Sequence, residues 1–171
     1  METFDTPSAR LAAFGDQLIE VHNRLRTELA RLSDDVDARL DGDPRPEELW
    51  AHCLTFCTAL ERHHTGEDDE AFPALTELHP DLAPVLDKLR EDHRLVADIL
   101  RRLRELTTGT DLHGADPQQA RRVRGELDGL KAIMESHFGY EERSIVKALN
   151  ALSDQEWTGE PPAFLRTDPA V

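Results

Sequence analysis

The sequence predicts an all-α protein folded as an antiparallel up-down four-helix bundle, and three observations carry that prediction. Leu, Ala, Glu and Arg are abundant while there is one tyrosine and there are few β-branched runs, a composition that suits helices and not sheets. Apolar residues recur three and four positions apart in four long stretches, which places them on one face of a helix. Short or moderate polar breaks separate the stretches, so consecutive helices pack antiparallel and pool their stripes in one core.

The first stripe runs Leu11, Phe14, Leu18, Val21 with His22, Leu25, Leu29, Leu32 and Val36, and Thr6 before Pro7 supplies a helix start. The run DGDPRPEE breaks it. A second stripe passes through Leu49, His52, Phe56, Leu60, His63 and Glu67. Its helix is expected to end near Phe72-Pro73, with a connector through His79-Pro80 that can carry a short turn before Pro84. The third stripe is Leu86, Leu89, His93, Val96, Leu100 and Leu103, closed by TTGTDLHGAD. Asp116 and Pro117 then form an N-cap and first-turn pair for the fourth, which runs Leu127, Leu130, Met134, His137, Glu141, Ile145, Ala148 and Leu152. From Ser153 the period is lost. Residues 1–152 are therefore expected to form the bundle domain, and residues 153–171 a loosely packed or disordered tail.

Composition narrows the function. With 171 residues, 39% of them apolar, the chain can bury one continuous core. A formal charge of −15 argues against nucleic acid and against an anionic membrane surface. The same excess is read first as serving solubility and, as the alternative, as a field that attracts cations; charge alone does not separate the two. No leader-like start and no apolar run of membrane-spanning length is visible, so a cytoplasmic location is expected. Cys53 and Cys57, four apart on one helix, are poorly aimed for a disulfide and are read as reduced core residues. No Ser/His/Asp arrangement, phosphate loop or nucleotide motif appears.

What remains is a set of histidines in the wrong place for an ordinary core. His22, His63, His93 and His137 interrupt the four stripes, one per helix, at positions that should face inward. Two are followed four residues later by glutamate, in His63-His64-Thr65-Gly66-Glu67 and His137-Phe138-Gly139-Tyr140-Glu141. Residues i and i+4 share a helix face, so each pair offers an imidazole and a carboxylate to one small volume. Buried without partners, such groups would be costly. Metal coordination satisfies them together. Mixed nitrogen and oxygen donors favour iron, manganese or zinc over calcium or magnesium, and two carboxylates able to bridge favour a two-metal site.

Other polar residues are read differently. A ferritin-like di-iron bundle would need two Glu-x-x-His motifs, and only Glu61 with His64 has that spacing. Helical rotation also sets His64 about 100° from His63, towards the edge of the stripe. Glu20, Glu61, Glu91 and Glu135 each precede a site histidine by two residues, about 200° of rotation, and should face solvent. His52, His79 and His113 stand outside the metal set, although His52 lies on nearly the same face as His63 and could support it.

In the order His, His-x-x-x-Glu, His, His-x-x-x-Glu, from about Leu11 to Leu152, the chain resembles the hemerythrin family in its bacterial branch, and HHTGEDDEAFPAL resembles that family's second-helix signature. The resemblance implies a hemerythrin-like bundle around two iron ions, oxo- or hydroxo-bridged, with zinc or manganese less favoured. His22 and His63 would hold one iron, His93 and His137 the other, and Glu67 and Glu141 would bridge them. It implies binding of O2 and, in some branches, peroxide or nitric oxide chemistry or iron sensing. The oxygen carriers place a second histidine four residues after the one on their third helix, where this chain has Ala97. The expectation is then a more symmetric pair with an open position, or one filled by water, Glu70, Glu142 or Tyr140. Same-face geometry favours Glu141 over its neighbour Glu142 as the second carboxylate. Leu18, Leu25, Phe56, Leu60, Leu89, Val96 and Met134 are expected to wall the site.

The leading expectation is thus a four-histidine, two-glutamate di-iron protein that binds or reacts with O2, peroxide or nitric oxide. Any turnover would come from the metals, as a di-iron oxidoreductase. The alternative is an iron- or oxygen-responsive regulatory module without turnover, and a third reading is a zinc-filled or metal-free interaction module.

Overall fold

A computed structural model describes residues 14–42, 46–108, 117–152 and 163–165. Helix α1 spans Phe14–Leu40 and α2 spans Pro46–Gly66; a π-helical turn at Glu67–Ala71 leads into α3 at Phe72–Leu78. A 3-10 turn at Pro80–Leu82 connects to α4, Ala83–Thr108, and α5 spans Pro117–Asn150. A last 3-10 turn occupies Ala163–Leu165. The proposed starts at Thr6-Pro7 and Asp116 lie outside the described residues.

Each long helix packs on two neighbours, in the ring α1, α2, α4, α5. Side-chain pairs across the seams show that every adjacent pair is antiparallel. His22 meets Glu142 while Gly15 meets Asn150, so α1 and α5 run in opposite senses. Glu28 and His22 reach His52 and His63, doing the same for α1 and α2. Glu61 with Arg104, set beside Asp68 with His93, reverses α4 against α2 and its π-turn. The pairs Asp92–His137 and Arg102–Glu126 reverse α5 against α4.

The second helical run does not stop at Phe72-Pro73. Proline has no N–H to give, and its ring strikes the carbonyl four residues back in an α-helix. The chain widens by one residue instead, with the Phe72 N–H donating to Glu67 O, and Pro73 falls in the first turn of α3, where no N–H is needed.

The apolar stripes form two clusters. One gathers Leu25, Leu29, Leu32, Phe56, Leu60, Leu100 and Leu127 with their neighbours; the other gathers Phe14, Leu18, Phe72, Leu75, Leu86, Leu89 and Ile145. Each fully buried Leu or Phe stabilises the fold by about 1.5–3 kcal/mol, enough in sum to carry a polar layer between them. Cys53 and Cys57 are free and buried in the first cluster. Gly15 lets α1 approach α5 closely, since a Cβ there would strike the Val146 carbonyl. The Asn150 side-chain oxygen accepts from Gly15 N–H at 2.8 Å and Asp16 N–H at 3.2 Å, serving the opening turn of α1.

The expected loose tail lies mostly outside the described residues. Two of its residues pack on the bundle: Phe164 is buried in the second cluster, and Leu165 packs against both clusters.

Candidate metal centre

Between the two clusters lies a layer of buried polar side chains. His22, His63, Glu67, His93, His137 and Glu141, all at most 4% exposed, meet there from four helical segments. Nε2 of His63 lies 3.1 Å from Oε1 of Glu67, and Nε2 of His93 lies 3.2 Å from Oε2 of the same carboxylate. Glu67 therefore faces both halves of the site, one oxygen to each. Oε2 of Glu141 stands 3.4 Å from Nε2 of both His22 and His137. Glu142 turns outward.

A seventh residue joins them. His64 is 5% exposed, stacks on His93 with ring centroids 4.0 Å apart, and sits edge-on to His137. His64, Glu67, His93 and His137 can bring ligand atoms within 4.8 Å of one another, as can His22, His63 and Glu67. This corrects the expectation that His64 points to the stripe's edge. The rotation that matters is measured from Glu67: His63 is about 40° to one side of it and His64 about 60° to the other, so the adjacent imidazoles flank the carboxylate. Ala97 is exposed. It leaves no gap in the layer, and the fifth imidazole comes from the second helical run. The halves are consequently unequal, three histidines against two, where a more symmetric pair was expected.

Four of the five imidazoles are anchored from behind, through Nδ1. His22 donates to Glu142 Oε1 (3.0 Å), His93 to Asp68 Oδ1 (2.8 Å) and His137 to Asp92 Oδ2 (3.3 Å), while His63 donates to the Phe164 carbonyl (2.6 Å). An acceptor at Nδ1 fixes the tautomer and leaves an Nε2 lone pair facing inward. The lone pairs of His22 and His63 then oppose each other at 3.2 Å. Neither nitrogen has a proton for the other.

Electrostatics tells the same story. Burial, then the His22 ring, holds His63 well below its ordinary value; burial and His93 do so for His64, and burial foremost lowers His137. Burial and the neighbouring Glu141 push Glu67 well up. Glu142, accepting from His22 and also served by Arg26 at 2.8 Å, is lowered to about 2. Nε2 of His64, His93 and His137 and both oxygens of Glu67 and Glu141 are buried without a hydrogen-bond partner. Seven convergent donors without partners cost several kcal/mol in a dry core. Cations set among them would satisfy all seven.

A family model for the hemerythrin HHE cation binding domain matches residues 14–149, which include all seven inward residues. The chain belongs to the hemerythrin HHE cation-binding domain family. Searches of the curated proteins and of the solved structures gave no significant match. As the family description says, this is a cation-binding fold, and the histidine and glutamate layer has the donors to hold metal. No helix among the described residues is long and apolar enough to cross a membrane.

Leu18, Leu25, Phe56, Leu60, Leu89, Val96 and Met134, expected as the walls, are buried in the two clusters on either side of the layer. Two aromatic rings touch the imidazoles directly. Phe138 stacks on His22 at 3.8 Å, and Phe72 on His93 at 5.6 Å. Glu20, Glu61, Glu91 and Glu135 are exposed. His52 pairs instead with Glu28 and Asp35, His79 is half-buried, and His113 lies outside the described residues. The anchors had a readable signal. Asp68, Asp92 and Glu142 each adjoin an inward residue in sequence, about 100° from its direction, where a side chain reaches the next helix. Phe164 had none, because its main chain does the work.

Proposed function

We propose that this hemerythrin-like chain holds two iron ions and binds or reacts with O2, peroxide or nitric oxide. His22 and His63 would hold one iron, and His93 and His137, joined by His64, the other. Glu67 and Glu141 would lie between. The single observation that supports this most is the unequal division of imidazoles around the shared Glu67 carboxylate, with both its oxygens buried and unpaired. Bound there, the iron pair would supply redox chemistry and, on the side with fewer nitrogens, a position for a small molecule.

The protein's own contribution is orientation and dryness. Glu142, Asp68, Asp92 and the Phe164 carbonyl hold four Nε2 lone pairs inward, while Phe138 and Phe72 cover the imidazole faces. A cavity of about 40 Å³ lies beyond Phe138, lined by Leu25, Leu29, Phe56, Leu60 and Met134, with Arg26, Lys131 and Glu135 also on its wall. Its size and apolar lining suit a diatomic molecule better than a larger polar substrate. Such a protein would serve in oxygen handling or in the response to oxidative stress, in the cytoplasm.

The test is metal analysis with absorption spectroscopy of the purified chain under O2, peroxide and nitric oxide. Two irons per chain, and a ferric-pair absorption band that changes with one of these molecules, are expected. No iron retained after anaerobic reconstitution would overturn the proposal. Zinc retained in its place, unaffected by removing His63 and Glu67, would favour an interaction module. A regulatory module without turnover is the second reading, favoured by the direct contact of a C-terminal main-chain group with His63.

A further inference from the structure

We propose that Phe164 is a positioning residue of the metal centre: its carbonyl fixes the His63 ring, so the C-terminal turn controls how well the two-histidine half retains its metal. This rests on the metal-binding reading above and adds a part to it that the matched family domain, ending at residue 149, does not include.

The four anchored imidazoles differ in what stands behind them. Three are held by carboxylates of the helical bundle: Asp68 in the π-turn, Asp92 on α4 and Glu142 on α5. Those side chains stay in place as long as the bundle does. The fourth anchor is the main-chain oxygen of a three-residue turn, Ala163–Leu165, with Phe164 lying 101 positions from His63 in sequence. At 2.6 Å it is the shortest of the four bonds, and it is buried. The turn packs against α1, α2 and the π-turn that carries Glu67. The Phe164 side chain, 1% exposed among Phe14, Leu18 and Phe72 of the second cluster, holds that carbonyl at His63.

The chemistry of the bond gives the turn leverage. A carbonyl can only accept, so His63 must keep its proton on Nδ1 and present Nε2 to the site. Without the acceptor the ring can exchange tautomers, and one of the two imidazoles in the poorer half loses its fixed donor. Outer partners of metal-bound histidines typically account for about 10–100-fold in metal affinity. Among the described residues the turn accepts from no imidazole of the three-histidine half, where His93 and His137 are held by Asp68 and Asp92. By linkage, metal on His63 must in turn favour the docked turn.

The experiment compares three variants with the parent chain. Phe164→Ala removes the side chain that seats the turn, Phe164→Leu keeps an apolar anchor, and Leu149→Ala removes a buried residue of the same cluster. After anaerobic loading with ferrous iron, the parent and Phe164→Leu should hold two irons per chain. Phe164→Ala should fall towards one, with the weaker site about 10–100-fold poorer in chelator competition. Leu149→Ala should lower the unfolding midpoint without this loss. In metal-free chains labelled with 15N-histidine, His63 should be the Nδ1–H tautomer in the parent and a mixture in Phe164→Ala. Iron loading should slow hydrogen exchange at residues 163–165.

Two irons held with parental affinity by Phe164→Ala would overturn the proposal, as would an unchanged His63 tautomer. Equal iron loss in Leu149→Ala would overturn it too, by showing that retention merely follows fold stability. Exchange at 163–165 that ignores iron would break the coupling. A parent chain that binds no iron sinks the broader reading instead, and that outcome is distinct.

Discussion

The two halves of the metal layer are built from the same side chains and differ in how those side chains are held. His64, His93 and His137 stack edge and face against one another, with two of them anchored by Asp68 and Asp92 from within the helices. His22 and His63 have one anchor from α5 and one from a short turn that follows the bundle. The lesson is that redundancy is local. The richer half has three imidazoles whose loss the others can partly cover, whereas each imidazole in the poorer half is essential to it. That asymmetry would let one half hold metal firmly while the other stays open to a small molecule.

The strongest way to break the comparison is to remove what the halves share. Glu67 offers one oxygen to each, so Glu67→Ala should empty both. Because an outer partner alone is worth about 10–100-fold in affinity, losing the common carboxylate should exceed that range at both positions. Metal analysis after gel filtration measures it. A Glu67→Ala chain that still holds one metal would show that the halves do not depend on a common ligand.

Next comes the origin of the third imidazole. His64→Ala should weaken the richer half by about 100-fold, the upper end of the range for a supporting group, and leave the poorer half little changed. Ala97→His should restore nothing in that background, since residue 97 is exposed. Chelator competition on the single and double variants decides between them. Recovery of metal in the double variant would mean that α4 can supply the fifth imidazole after all.

The anchors then separate the halves more finely. Asp68→Ala frees His93 in the half with two further imidazoles, and Glu142→Ala frees His22 in the half with one. We expect about 10-fold weaker binding from the first and nearer 100-fold from the second. Equal losses would show that the number of imidazoles does not buffer a lost anchor.

These contrasts also mark where the sequence could be read. The four helices and the inward direction of His22, His63, His93 and His137 follow from a 3–4 period, which long stripes carry redundantly. His64 is harder to place from the sequence, because a neighbour 100° away looks peripheral when His63 defines the face. With Glu67 as the reference, spacings of four and three bring both histidines to it. Pro73 misled in a similar way: it ends an α-helix, but one wide turn relieves its clash and the run continues. Ala97 reads as a missing ligand only against the oxygen carriers' spacing on the third long helix. On α4 the inward line passes through His93, Val96 and Leu100 and leaves residue 97 at the solvent edge. The Phe164 contact could not have been found, because a main-chain oxygen carries no residue-type signal and its segment has no period.

The smallest expected effect is the pH response of the metal-free chain, and its sign can be worked out group by group. His63, His64 and His137 are held below their ordinary value of 6.5, so folding is favoured above that pH. As pH falls below it, the unfolded chain takes up protons that the folded one refuses, and stability drops by at most about 1.4 kcal/mol per pH unit for each such group. Glu67 works in the opposite direction. Raised above its ordinary 4.5, it keeps a proton that the unfolded chain releases as pH rises, which offsets part of the gain from the histidines. Glu142, lowered to about 2, contributes stability present above 4.5 and lost on descent towards pH 2. That contribution is small, because the group is partly exposed and solvent screens it. With three histidines against one glutamate, the metal-free chain should lose stability between pH 6.5 and 5. Two of the three depressed histidines belong to the richer half, so His64→Ala should make this loss shallower while leaving the His63 contribution in place. Urea unfolding at a series of pH values reads the slopes directly. A slope unchanged by His64→Ala would show that His64 does not contribute to the acid sensitivity of the folded chain.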